Sequence, residues 1–229
     1  MKTAELENMI GYEFKDKTLL DRALTHSSYN REKNTKHVDN ERLEFLGDAF
    51  LDAIVSVELF RRRPSWTEGK LTKTRAIVVC EKSLAEIARG IDLGAYLNMG
   101  YGEEQAGGRF KDSIIADSIE AIIGALYIDG GYDEANRFVL KFFHETIENA
   151  IEGKLFKDYK SEVQEILQKN GKVEIAYVID KEEGPDHDKT FYVHLECEGI
   201  SYESGVGKSK KEAEQLAAKK SIELLKKEN

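Results

Sequence analysis

The sequence predicts a mainly α N-terminal domain followed by a small α+β domain of order α-β-β-β-α. Three observations lead there. From Leu6 to about Glu152 apolar residues recur three and four apart, without strand-like alternation. After Glu152-Gly153-Lys154 the texture changes, and alternating segments appear between two helical ones. The 229 residues leave room for one domain of about 150 residues and a second small one. The expected boundaries are 1–152 for the helical domain, 153–157 for a linker and 158–229 for the α+β domain.

In the first domain the helical pattern is punctuated at Gly11, near residues 34–40, at Arg63-Pro64-Ser65, at 90–94, at 100–108 and at Gly130-Gly131. In the second, residues 158–169 read as a short helix with Asp158 as its cap. Residues 173–180 alternate, with Val173, Ile175, Tyr177 and Ile179 on one face. Gly184-Pro185-Asp186-His187 is a turn. Residues 190–198 alternate again: Phe191, Val193, Leu195 and Cys197 point one way, Tyr192, His194 and Glu196 the other. Gly199 turns the chain into a third strand, 201–206. A helix over 209–227 closes the unit, with Ala213, Leu216, Ala217, Ile222, Leu224 and Leu225 near one side.

No apolar run approaches the ~20 residues that span a bilayer, and Met1-Lys2-Thr3-Ala4-Glu5 carries no signal-peptide core. No membrane partner is expected. Cys80 and Cys197 are far apart and lack metal-ligand spacing, which favours reduced thiols and a cytoplasmic location. The net charge of −9 argues at face value against a nucleic-acid partner. The layout of the charges matters more than their sum. Acids that bind metal ions lose their repulsion, and bases need only line the phosphates.

The most informative segment is Asn40-Glu41-Arg42-Leu43-Glu44-Phe45-Leu46-Gly47-Asp48. At ~100° per helical residue, Glu41, Glu44 and Asp48 lie within ~60° of one another. Leu43, Phe45, Leu46, Phe50, Leu51, Ile54, Val55, Val57, Leu59 and Phe60 cover the remaining faces. A helix apolar nearly all round is buried or lies at an interface, and acids set into it are costly without a cation. Residues 113–128 repeat the pattern. Asp117 and Glu120 share a face, and Gly124 continues it one turn later. Gly47 and Gly124 would let the two helices approach and bring Glu44, Asp48, Asp117 and Glu120 together. Clustered carboxylates repel unless protonated or bridged by metal. Oxygen ligands without Cys or His favour Mg²⁺ or Mn²⁺, which suits phosphoryl chemistry. Ordinary salt bridges are the plainer alternative for any one acid. Asp52, one turn past Asp48, reads equally as bystander or ligand.

The nonamer 40–48 closely resembles the signature of the ribonuclease III family, of the bacterial type. Leu24-Thr25-His26-Ser27-Ser28-Tyr29, Glu68-Gly69-Lys70-Leu71-Thr72, and the run from Ala116 to Ala125 resemble further family motifs in the expected order. The resemblance implies an endoribonuclease that hydrolyses double-stranded RNA with Mg²⁺, Mn²⁺ substituting, and leaves 5′-phosphate and 3′-hydroxyl ends. It implies that Glu44, Asp117 and Glu120 bind the metal, with Asp48 and Glu120 catalytic and Asp48 orienting the water. It places Glu41 and Glu68 in the catalytic valley. Substrates expected from it are ribosomal RNA precursors and structured messenger RNAs.

One acid set per chain faces two RNA strands, so a C₂ homodimer is expected. Phe45, large and apolar beside the acids, is expected at that interface, with ordinary core as the alternative. In the second domain, Lys208, Lys210 and Lys211 open the last helix, where they oppose its dipole. Free backbone N–H groups there suit a phosphate. These segments resemble the double-stranded-RNA-binding domain. That resemblance puts Ser161, Gln164 and Gln168 in one minor groove, His187 and its turn in the next, and the lysines on the phosphates between. Such a grip reads the shape of A-form RNA. From Leu155 to Asn229 there are 13 Lys and no Arg against 16 Asp+Glu, a net of −3, so the unit is not basic. Two weak grips in a dimer are expected to act together.

Two other functions compete with this reading. An inactive RNA binder would lack a carboxylate, and none of the four is missing. A hydrolase using His26 and Ser27 would need adjacent residues to meet in space; those two are read instead as supporting a helix.

Overall fold

The structure is a computed structural model that describes residues 2–29, 39–155, 159–171, 173–185 and 189–226. It divides into two compact units, Met1–Leu155 and Phe156–Asn229.

The first unit is helical: α1 (Lys2–Ile10), α2 (Lys17–Ala23), α3 (Glu41–Arg62), α4 (Glu68–Val78), α5 (Glu81–Gly90), α6 (Tyr101–Gln105), α7 (Asp112–Gly130), α8 (Tyr132–Phe142) and α9 (His144–Ile151). The local chemistry explains the ends. Asp16 caps α2 by accepting from Thr18 N, and Thr67 caps α4 by accepting from Lys70 N. α3 stops before Pro64, whose predecessor is disfavoured in a helix. Gly131, at φ +83°, breaks α7 from α8 in a conformation that side chains other than glycine resist.

α7 is the central helix. Ile114, Ile115, Ile119, Ile122, Ile123 and Leu126 are all buried, so solvent reaches little of it. α3 lies against it through Leu43, Leu51, Ile54, Val55 and Leu59. Two glycines set their separation. A Cβ at Gly47 would overlap the carbonyl of Glu120, and one at Gly124 would overlap the carbonyl of Leu43. Each helix is therefore in backbone contact with the other at the turn that carries the acids.

The second unit runs α10 (Tyr159–Leu167), β1 (Ile175–Glu183), β2 (Thr190–Cys197), β3 (Ile200–Gly207) and α11 (Lys210–Leu225). The sheet is antiparallel in the order β1-β2-β3. Val163, Leu195, Ala218 and Ile222 form its small core. Gly205 and Gly207 let α11 lie directly on β3, where a Cβ at either would meet its backbone.

Three expectations change. β1 begins at Ile175 and runs to Glu183 rather than over 173–180. Ile179 pairs with Val193 yet is 40% exposed. It sits on the edge strand at a bulge, away from α11, which packs on β2 and β3. Leu216 also stays at the surface, because the face of α11 that meets the glycines is the small-residue stripe Ala213, Ala217, Ala218 and Ser221. Asp158 and His187 lie outside the described residues. Among the described residues, no helix is long and apolar enough to cross a membrane, and Cys80 and Cys197 are free thiols.

Candidate metal centre

The acid site is made by the glycine contact between α3 and α7. Leu43, Gly47 and Leu51 face inward, which turns Glu44 towards the crossing. On α7, Asp117 and Glu120 face it from the other side. One carboxylate oxygen from each of Glu44, Asp117 and Glu120 lies within 4.8 Å of the others. All three side chains are half-buried. Among the described residues, no basic side chain forms an ion pair with any of them.

The electrostatics follow from that. Burial first, then Asp48, Asp117, Glu44 and Asp52, pushes the Glu120 carboxyl up to about 8. Glu44 is raised by burial and then by Asp117, Glu41 and Asp48. Asp117 is raised by burial and by Glu81, and the imidazole of His26 opposes the rise. These carboxylates crowd one another, and among the described residues no basic side chain pairs with them to offset this. That donor set fits a hard divalent cation, so the cluster could hold one.

Asp48 and Glu41 lie at the exposed rim and contribute charge to the cluster. Glu68 is not brought into the trio. It accepts a hydrogen bond from Thr72 Oγ1 at 2.9 Å and lines a groove of about 450 Å³ with Val57, Phe60, Leu71 and Arg75. Asp52 is held by Arg75 at 3.7 Å, and Arg75 also donates to Ser56 Oγ at 2.9 Å. Phe45 is 79% exposed and Phe60 70%, so neither belongs to the core of its own chain.

Sequence reasoning missed Glu81 and passed over His26. Glu81 starts a different helix, and no spacing relates it to Asp117. His26 sits in a motif whose adjacent Ser27 drew attention, whereas the ring engages Ser28, with Nδ1 2.8 Å from Oγ.

In the second unit, Gln164 Nε2 donates to Gln168 Oε1 at 3.4 Å. Both line a groove of about 410 Å³ with Lys160, Val173, Ile175 and Tyr177. Ser161 is exposed on the same helix. Lys208, Lys210 and Lys211 are exposed at the start of α11. Ser209 caps that helix by accepting from Glu212 N at 3.2 Å, and Glu212 accepts from Lys208 N at 2.7 Å. Lys210 is partly committed elsewhere: it pairs with Glu182 at 3.2 Å and lies over the Phe191 ring.

A helical unit with a carboxylate trio, followed by a small α+β unit with lysines at a helix start, is the layout of a nucleic-acid hydrolase with a separate binding module. Comparison with known proteins agrees. A family profile described as Ribonuclease-III-like matches residues 16–147, and one described as double-stranded RNA binding motif matches 159–225. Ribonuclease 3 of Caldanaerobacter subterraneus is 48% identical over 220 residues, 96% of each chain. Ribonuclease 3 of Clostridium acetobutylicum is 49% identical over 222 residues, again 96% of each. The crystal structure of the nuclease domain of ribonuclease III from Campylobacter jejuni is 46% identical, with a TM-score of 0.59, covering 64% of this chain and 97% of that one. The chain belongs to the ribonuclease III family. It is a nuclease with an N-terminal endonuclease domain and a C-terminal double-stranded-RNA-binding domain.

Proposed function

We propose that the chain cuts both strands of double-stranded RNA by Mg²⁺-dependent hydrolysis, leaving 5′-phosphate and 3′-hydroxyl ends. The observation that carries this reading is the convergence of Glu44, Asp117 and Glu120 within 4.8 Å, between helices locked by Gly47 and Gly124. Those three residues would hold the metal, with Mn²⁺ able to replace Mg²⁺. When bound, the ion supplies an activated water and neutralises charge on the phosphate and the leaving oxygen. Asp48, at the exposed rim beside them, orients the water by accepting its hydrogen bond. Glu120, whose carboxyl is pushed up to about 8, must give up its proton before it can serve as a ligand. Glu41 and Glu68 line the valley where the duplex lies.

A C₂ homodimer completes the reading, since one trio serves one strand. Phe45 and Phe60 are exposed apolar residues on the helix that carries Glu44, and the groove beside Phe60 suits an aromatic ring of a second copy. The C-terminal domain grips the duplex by shape through Ser161, Gln164, Gln168 and His187, with Lys208, Lys210 and Lys211 on the phosphates. Substrates are structured RNAs of the cytoplasm, ribosomal RNA precursors and folded messenger RNAs.

The test is cleavage of a long RNA duplex with Mg²⁺, comparing the parent with Glu120→Gln. Cutting should stop while gel-shift binding persists. Equal cutting by both proteins would sink the mechanism. With Ca²⁺ in place of Mg²⁺, binding without efficient hydrolysis is expected.

A further inference from the structure

The connection from α5 to α7 ends in a loop that is fixed at several points. Lys111 Nζ lies 2.6 Å from Glu103 and Arg109 Nε 2.6 Å from Glu104, so two ion pairs close residues 103–111 on themselves. Gly108 sits against Glu103, where a Cβ would meet its side chain and carbonyl. Arg109 Nη1 donates to Gly94 O and to Leu97 O, both at 2.8 Å, and a Cβ at Gly94 would overlap the Arg109 carbonyl. The loop is thus clamped to the chain before α6, and its two cations, Arg109 and Lys111, are committed to the clamping.

What the loop offers outward is a ring. Phe110 ends a short 3-10 turn, Gly108–Phe110, and is 79% exposed. Among the described residues, no other ring stacks on it and no cation lies over it. Its place relative to the acids follows from burial along α7. From Ser113 to Leu126 every residue is buried except Ser113, Asp117 and Glu120. Those three are spaced four and three apart, so they form one open strip that ends at the acid trio. Phe110 comes three residues before Ser113 and opens to solvent at the head of that strip. From Phe110 to Asp117 the chain advances about 10 Å, at ~1.5 Å per residue.

We infer that Phe110 is a specificity-determining residue of the cleavage reaction: its ring stacks on an unpaired base of the RNA, within about three or four base pairs of the bond cut at the trio. This rests on the proposed hydrolysis of duplex RNA. Paired bases cover one another's faces and present only their edges, whereas an unpaired nucleotide splays out and offers a face to an aromatic side chain. A ring on a clamped loop loses little freedom on stacking, so the contact needs no rearrangement. Folded RNAs with a bulge or internal loop beside the cleavage site are therefore favoured over uninterrupted duplexes.

Competition cleavage with Mg²⁺ tests it. A fully paired, end-labelled RNA duplex is set against copies that carry one bulged adenine, moved position by position along the base pairs flanking the cut. At one or two positions the ratio of kcat/KM for bulged over paired duplex should exceed one in the parent. In Phe110→Leu and Phe110→Ala that ratio should fall by about fivefold to a hundredfold, the range for one base stacked on an aromatic side chain. Phe110→Tyr should keep it. A ratio that Phe110→Leu leaves unchanged at every position overturns the proposal, because an apolar contact with the ribose would then suffice. A second measurement does not depend on cleavage. With Ca²⁺ in place of Mg²⁺, the bulged duplex should quench the indole added in Phe110→Trp, after subtraction of the Trp66 emission of the parent, and the paired duplex should quench it less. Equal quenching by both, or none, overturns the assignment. So does sedimentation in which Phe110→Ala is a monomer and the parent a dimer, since the ring would then serve self-association. A parent that cuts neither duplex would instead refute the underlying function.

Discussion

The carboxylates of the acid cluster in the first unit behave in the opposite way to the lysine-paired ones of the second. In the second unit Glu182 is held down by the hydrogen bond from Lys210, and Glu183 by Lys181. Glu162 pairs with Lys226 at 2.9 Å and Glu214 with Lys160 at 2.7 Å. These acids are exposed or half-buried and each has a lysine partner. In the first unit Glu44, Asp117 and Glu120 are half-buried, without an ion-pair partner among the described residues, and raised. The same side-chain types thus form lysine-paired surface acids in one place and a crowded cluster without basic partners in the other. An uncompensated cluster costs stability. It persists because the glycine contact holds α3 and α7 together regardless, and a divalent ion would offset the repulsion.

The largest effect that would break this contrast is loss of a trio member. Outer-shell partners of metal ligands are worth about 10–100-fold in affinity or activity, so Asp117→Asn should lower cleavage by more than that, read in a single-turnover assay. Gly47→Ala should be comparably damaging by another route. Its methyl would overlap the Glu120 carbonyl, and overpacking of this kind costs about 1–3 kcal/mol. Thermal unfolding should show the loss, with cleavage falling alongside; a parental melting temperature would show that the backbone contact is not needed.

The pH dependence sharpens the contrast further. The Glu120 carboxyl is raised in the folded chain, so between the ordinary glutamate range and about pH 8 the folded state holds a proton that the unfolded state has released. Stability of the metal-free protein therefore falls as pH rises through that window, and the loss is absent below it. Glu120→Gln should raise the metal-free melting temperature at pH 8 by a few degrees, on the scale of ~2–4 °C per kcal/mol, and by less at pH 5. Binding of Mg²⁺ by the parent should release a proton and tighten as pH rises to about 8. Calorimetry in buffers of different ionisation enthalpy would measure the release, and its absence would refute the buried protonated carboxyl.

A smaller effect is expected at the exposed aromatic. Phe45→Asp should weaken self-association by at least about 30-fold, the factor for a hot spot of ~2 kcal/mol, and sedimentation should show monomer where the parent is dimeric. An unchanged dimer would remove Phe45 from the interface. Smallest are the lysines. Lys211→Ala should reduce the salt dependence of RNA binding by about one unit of slope. Lys210→Ala should do less, because Lys210 already spends part of its charge on Glu182. Equal slopes for the two would refute that difference.

Much of this was legible in the chain. Helical spacing was enough to put Glu41, Glu44 and Asp48 on one stripe and Asp117 with Glu120 on another, because 3.6-residue periodicity is a local property. Period-2 alternation likewise identified Val193, Leu195 and Cys197 as the inner face of β2. The failures are non-local. Ile179 fits the alternation, but a bulge and an edge position expose it. Leu216 fits the helical face, but the glycines of β3 select the alanines instead. Glu81 and His26 bear on Asp117 electrostatically from other segments, and no spacing announces them.

By itself the sequence determined the two-unit architecture, the acidic stripes and the two glycines, all of which depend on neighbours within a turn or a strand. Only the tertiary structure decided which acids meet, that Glu68 and Asp52 stand outside the trio, and that Phe45 faces outward. Those outcomes depend on how closely α3 and α7 approach and on which side chains lie across the gap. Burial and Coulombic repulsion are set by that three-dimensional spacing, and it is the spacing that turns three ordinary acids into a place that could hold a metal ion.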